Sequence, residues 1–298
     1  MKLQGMFALA ATPFDHTGAI YRSKIQHNFA KWRRTSLAGF ITGSMAGEGP
    51  LLEADEKVEL LKLAAASVNG VVASSAILIA DVSQEGVHGA ARLSHAMKAA
   101  GAHAVISRPP HEYQHLANAA DLPVLYYRAL ADRSPVPVVI HNAPVVTGID
   151  LPAATIANLA QHPNIAGVLE SGTPVSRVHE IRALAGKDFA VLAGTEGLVW
   201  ESLRAGANGA ALAFASAAPY ATIAIWEAFR TREEEAGADW QARIAHPSIL
   251  VTDVHGAPGL KHAMDVNGYY GGAPRLPFAP LSAEGKHQIE DAFRDLKG

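Results

Sequence analysis

The chain contains no cysteine. That excludes disulfides, thiolate nucleophiles and cysteine-ligated metals. Charged residues are sparse, at 18% against 49% hydrophobic, which argues for a sizeable core and against disorder. No segment is rich in lysine and arginine, and the net charge is −3. Such a surface gives no electrostatic case for nucleic acid or an anionic membrane as partner. No apolar stretch reaches the ~18 residues a membrane span needs. The opening "MKLQGMFALAATPFD" has one lysine and a short apolar run, without the longer hydrophobic region and cleavage site of a secretory signal. A cytoplasmic protein is the expectation.

What the sequence does contain is alternation. Short apolar runs at Met6–Leu9, Ala38–Thr42, Val71–Ile79, His103–Ser107, Val136–His141, Ile165–Leu169, Ala190–Gly194 and Gly209–Ala213 read as strands. Helical patterns separate them. In "EADEKVELLKLAAASV" (Glu53–Val68), Val58, Leu61 and Ala65 share a face that Leu60, Leu63 and Ala64 widen. Eight strands alternating with helices imply parallel βα units with right-handed crossovers. No Gly-x-Gly-x-x-Gly turn follows any strand, so the dinucleotide-binding open sheet lacks its signature. The strand count fits an α/β (β/α)8 barrel over 1–218. From Pro219 the pattern is helical, and 219–298 reads as a C-terminal helical extension packed on the barrel.

Several stretches, in order along nearly the whole chain, resemble the dihydrodipicolinate synthase / N-acetylneuraminate lyase family of pyruvate-dependent aldolases. They are "TPFDHTG", "GEGPLLEADEK", "HNAPVVTGIDL", "NIAGVLESG" and "GGAPRLPFAPLS". The resemblance implies a barrel that forms an imine between a lysine and pyruvate, and a dimer or tetramer. It also implies where the chemistry departs. The family's lysine falls at Leu169, its proton-relay tyrosine at His141 and its carboxylate-binding arginine at Val146. Its paired hydroxyls fall at Met45 and Ala46, with Ser44 one place early. Leucine has no nitrogen, so no imine forms there. The other lysines read as terminal, helical or, for Lys187, at the wrong end of a barrel; Lys261 opens a C-terminal helix where the family often carries a lysine that is not the nucleophile.

What remains at the strand ends sets the candidates. His141 ends the fifth strand, where barrel catalysis sits, and an imidazole titrating near neutral pH can exchange a proton; the alternative is a hydrogen-bonded histidine filling the tyrosine's space. Ser44 is the second catalytic candidate. Met45, Ala46, Arg108, Leu169, Ser171, Gly194 and Thr195 are expected to line the substrate pocket, with Arg108 able to hold a carboxylate. Gly47, Glu48 and Asn142 read as structural residues of the mouth. His111 and His115 in "HEYQH" stand at i, i+4, but no third ligand is evident, so neither metal nor cofactor is assigned. The expected function is a lyase or aldolase acting on a small oxo-acid or carbonyl compound without a lysine imine. The rival is an inactive relative that binds a small ligand or serves as a scaffold.

Overall fold

Eight parallel strands close into a barrel in chain order: β1 (Gly5–Leu9), β2 (Gly39–Thr42), β3 (Ile77–Asp81), β4 (Ala104–Ser107), β5 (Val138–Asn142), β6 (Ile165–Glu170), β7 (Ala190–Ala193) and β8 (Gly209–Leu212). The last strand pairs with the first, Met6 opposite Ala210. The computed structural model describes residues 1–68, 76–116 and 119–296. Around the barrel run α1 (Arg22–Trp32), α2 (Ala54–Val68), α3 (Val87–Ala100), α4 (Leu122–Arg133), α5 (Pro144–Thr147), α6 (Ala153–Leu159), α7 (Ser176–Ala185) and α8 (Val199–Arg204). They are followed by α9 (Pro219–Thr231), α10 (Glu234–Ile249), α11 (Gly256–Val266) and α12 (Ala283–Ala292). After β8, α9 lies against β1. No helix among the described residues is long and apolar enough to cross a membrane.

The expected (β/α)8 barrel is therefore what the chain builds, with one strand displaced. β3 ends at Asp81, two residues beyond the reading, and residues 71–75 lie outside the described residues. The carboxylate of Asp81 accepts from the Ser83 amide at 2.7 Å, so the polar residue itself ends the strand. β5 begins at Val138 and not at Val136, because Pro137 has no N–H to offer a ladder.

Strand alternation divides the core into two layers. Met6, Ala8, Phe40, Leu78, Ala80, Ile140 and Val168 face the helices. Phe7, Ile41, Ile79, Ile106, Val139, Leu169 and Leu192 fill the barrel interior. Side chains two apart on a strand share a face. Carrying the interior parity to the C-terminal ends places Gly43, Asp81, Arg108, His141, Ser171 and Gly194 around the mouth. These strand ends are where barrel enzymes hold their chemistry.

Candidate active site

The mouth is built from the ends of β2 to β7. His141 and Leu169 are opposite each other across β5 and β6, and both are buried. Ser171, two residues past Leu169, brings its Oγ to 3.4 Å from His141 Nε2, a long hydrogen bond. Gly194 closes the other side. A Cβ at this position would stand 2.1 Å from Ser171 Oγ and 3.0 Å from Leu169 Cδ1, so glycine leaves the Ser171 hydroxyl its room. Thr195 follows, half-buried, at the start of the next turn. His141, Leu169, Ser171 and Gly194 thus meet at one place.

Burial holds the His141 imidazole neutral, with its pKa pushed down to about 4; Asp81 pulls it up and Arg108 pushes it down. A titration near neutral pH, expected from an ordinary histidine, does not apply here. At pH 7 the ring is neutral, and burial makes it a weaker base than an exposed histidine. The same two charges act on Lys57, whose pKa burial lowers, Asp81 raises and Arg108 lowers.

Asp81 and Lys57 are the residues that sequence reasoning missed. Asp81 was lost because the strand was ended at Ile79. Lys57 reads as part of a helix, and it is, but α2 buries Lys57, Leu60, Leu61, Ala64, Ala65 and Val68. The buried face is centred on the apolar stripe, and Lys57 lies on it with its stem along Gly43. A Cβ on that glycine would be 3.7 Å from Lys57 Cγ. The signal for Asp81 was available: a carboxylate just past an apolar run in a barrel.

Arg108 reaches the mouth. Its amide donates to Ser83 Oγ at 2.9 Å, its Nη1 lies 3.5 Å from Met45 Sδ, and its buried Nε has no partner among the described residues. Ser44 is likewise buried, and its Oγ has no partner among the described residues. Met45 is exposed and Ala46 packs against the outer core layer. Val146, where the resemblance would place the family's arginine, is exposed on α5.

The neighbouring loop is held from behind. Glu48 adopts a left-handed conformation, pairs with Lys261 and accepts from the Arg275 amide at 2.7 Å, tying the β2 loop to the C-terminal segment. A Cβ on Gly47 would meet the Ala10 carbonyl at 2.5 Å. Asn142 donates to Glu170 at 2.8 Å and to Asp150 at 3.1 Å, behind the mouth. Glu196, past β7, fixes Oε1 on the amides of Ala213 and Phe214 while its buried Oε2 has no partner among the described residues. Burial pushes its pKa up to about 8.

Beside His111 and Glu112 the fold brings a further group that the sequence spacing does not show. Glu85, from the loop after β3, stands with His111 and Glu112, while His115 is exposed and not among these three.

The class is a closed (β/α)8 barrel with titratable and cationic groups gathered at its C-terminal mouth, the end where barrel enzymes hold their chemistry. The model of the dihydrodipicolinate synthetase family matches residues 2–296, and the chain belongs to that family of lyase-type barrels. It is similar to the 4-hydroxy-tetrahydrodipicolinate synthase of Stenotrophomonas maltophilia strain K279a, 31% identical over 287 residues, covering 95% of this chain and 93% of that one. The enzyme of the same name from Exiguobacterium is 28% identical over 301 residues, covering 98% and 97%. Among solved structures, a dihydrodipicolinate synthase from Bacillus anthracis superposes with a TM-score of 0.91 at 22% identity, over 99% of this chain and 98% of that one.

Proposed function

We propose that this protein is a lyase- or aldolase-type enzyme that acts on a small oxo-acid or related carbonyl compound without a lysine imine. The observation that carries the reading is Leu169. It stands where the family's lysine is expected, buried in the barrel interior opposite His141.

The polar arc supplies a different route. Neutral His141 takes a proton from the substrate. The nearby Asp81 carboxylate stabilises the imidazolium that forms, as the direction of its effect on the ring requires. Arg108, with a free Nε, holds the substrate carboxylate. Ser44 and Ser171 offer hydroxyls to the oxygen on which charge develops. Leu169 and Met45 give the pocket an apolar wall. That wall favours the rival reading, a relative that binds a small ligand without turnover. The same family resemblance supports assembly as a homo-oligomer.

The deciding experiment is a thermal-shift screen against small oxo-acids, followed by co-crystallisation and turnover assays of the hits. A bound ligand raises the midpoint by mass action. Turnover that falls in His141→Ala supports the enzyme. Binding of the same ligands with no conversion supports the rival.

A further inference from the structure

We propose that Glu85, His111 and Glu112 form a binding site for a divalent first-row transition cation on the rim of the barrel mouth. Glu85 comes from the loop after β3, and His111 and Glu112 from the loop after β4. Each offers one ligand atom, and these atoms lie within 4.8 Å of one another.

The arrangement is preorganised by Glu85. Its Oε2 accepts the backbone N–H groups of His111 and Glu112, at 2.9 and 3.1 Å, which clamps one loop to the other. Its Oε1 is thereby turned to His111 Nδ1, at 3.1 Å. That nitrogen also lies 3.3 Å from the Pro109 carbonyl, so it faces two acceptors and carries the ring proton. A cation bound at Nδ1 takes the place of this proton, which leaves to solvent. Glu112 is exposed and adds a second carboxylate.

One imidazole and two carboxylates suit manganese or zinc and leave coordination positions for water or a ligand oxygen. The site shares both of its loops with the mouth. Asp81 and Ser83 precede Glu85, Arg108 precedes His111, and the Arg108 amide donates to Ser83 Oγ at 2.9 Å. A cation on the rim therefore adds positive charge beside Arg108. The inference rests on these loops alone and holds whether or not the pocket turns over substrate.

The test is calorimetric titration of the full chain with manganese(II) chloride and, separately, zinc chloride. One cation per chain is expected, with a heat that varies with the buffer's ionisation enthalpy because a proton is released. His111→Asn and Glu85→Gln should each weaken binding by about tenfold or more, while His115→Ala binds as the parent does. Circular dichroism checks the folding of each variant. If Glu85→Gln disturbs the loops, Glu112→Gln replaces it, since that carboxylate is exposed. Failure of both cations to bind at millimolar concentration overturns the site, as does equal binding by the His111 and Glu112 variants.

Discussion

His141 and Leu169 face each other across β5 and β6, an imidazole held neutral beside an aliphatic side chain at the two strand ends where the family resemblance expects a tyrosine and a lysine. The pair limits what residues 141 and 169 themselves can do. A proton can be exchanged there, but no carbon–nitrogen bond can be made at residue 169.

The first prediction concerns the imine. Incubation with pyruvate and borohydride should leave the protein mass unchanged. Lys57 is the lysine to inspect, because burial and Arg108 lower its pKa, which is how amine nucleophiles are activated. Peptide mapping that finds a reduced adduct on Lys57 would show that the nucleophile has moved from β6 to α2 and would sink the imine-free mechanism.

A second prediction concerns the His141 ring. Its folded pKa, about 4, lies below the ordinary value near 6.5. Between these values the unfolded chain binds the proton and the folded chain does not. Its contribution is therefore fully present above about pH 6.5 and lost as pH falls toward 4, on the order of 3 kcal/mol in all. His141→Gln should lose less stability than the parent between pH 7 and 4.5 in urea titrations. If the protein is an enzyme, His141→Ala should lower the rate on the order of 10²–10⁴-fold. The parent's acid limb should sit well below neutrality. A limb near pH 6.5 that disappears in the alanine variant would mean that the ring is solvated in the working protein.

Gly194 gives a third prediction. Alanine there pushes its Cβ into Ser171 Oγ and against Leu169, so Ser171 must leave His141. Overpacking of this kind costs about 1–3 kcal/mol. Gly194→Ala should lower the melting temperature and, given a substrate, reduce turnover at least as much as Ser171→Ala does. An unchanged rate with Ser171 displaced in a crystal structure would remove the serine from the site.

The barrel was legible because alternating strands and helices leave a period that hardly depends on neighbours, and seven of the eight strands were found within a few residues. The third was placed early because an apolar run does not show where its ladder stops; Asp81 does, through its bond to Ser83. Arg108, His141, Ser171 and Gly194 could be anticipated as residues at or just past strand ends. Lys57 was legible too, three, four and seven positions before Leu60, Leu61 and Ala64 on the apolar face of α2; its approach to Gly43 was not. Glu85 joins His111 across two loops 26 positions apart in sequence, a distance that spacing rules do not cover.

The last prediction concerns Glu196. Its Oε1 is satisfied by two amides, and those bonds favour the charged form; burial outweighs them and raises the pKa to about 8. Between about pH 4.5 and 8 the folded chain therefore holds a proton that the unfolded chain has released. By linkage, this group's contribution is fully present below about pH 4.5 and lost as pH rises through 8, opposite in sign to that of His141. Glu196→Gln keeps an oxygen for the two amides and cannot ionise. Its stability should match the parent at pH 5 and exceed it at pH 9, measured by thermal or urea unfolding at each pH. Glu196→Ala leaves the Ala213 and Phe214 amides without their acceptor and should destabilise at both. If the glutamine variant is no more stable than the parent at pH 9, burial does not penalise the ionised carboxylate and the raised pKa is wrong.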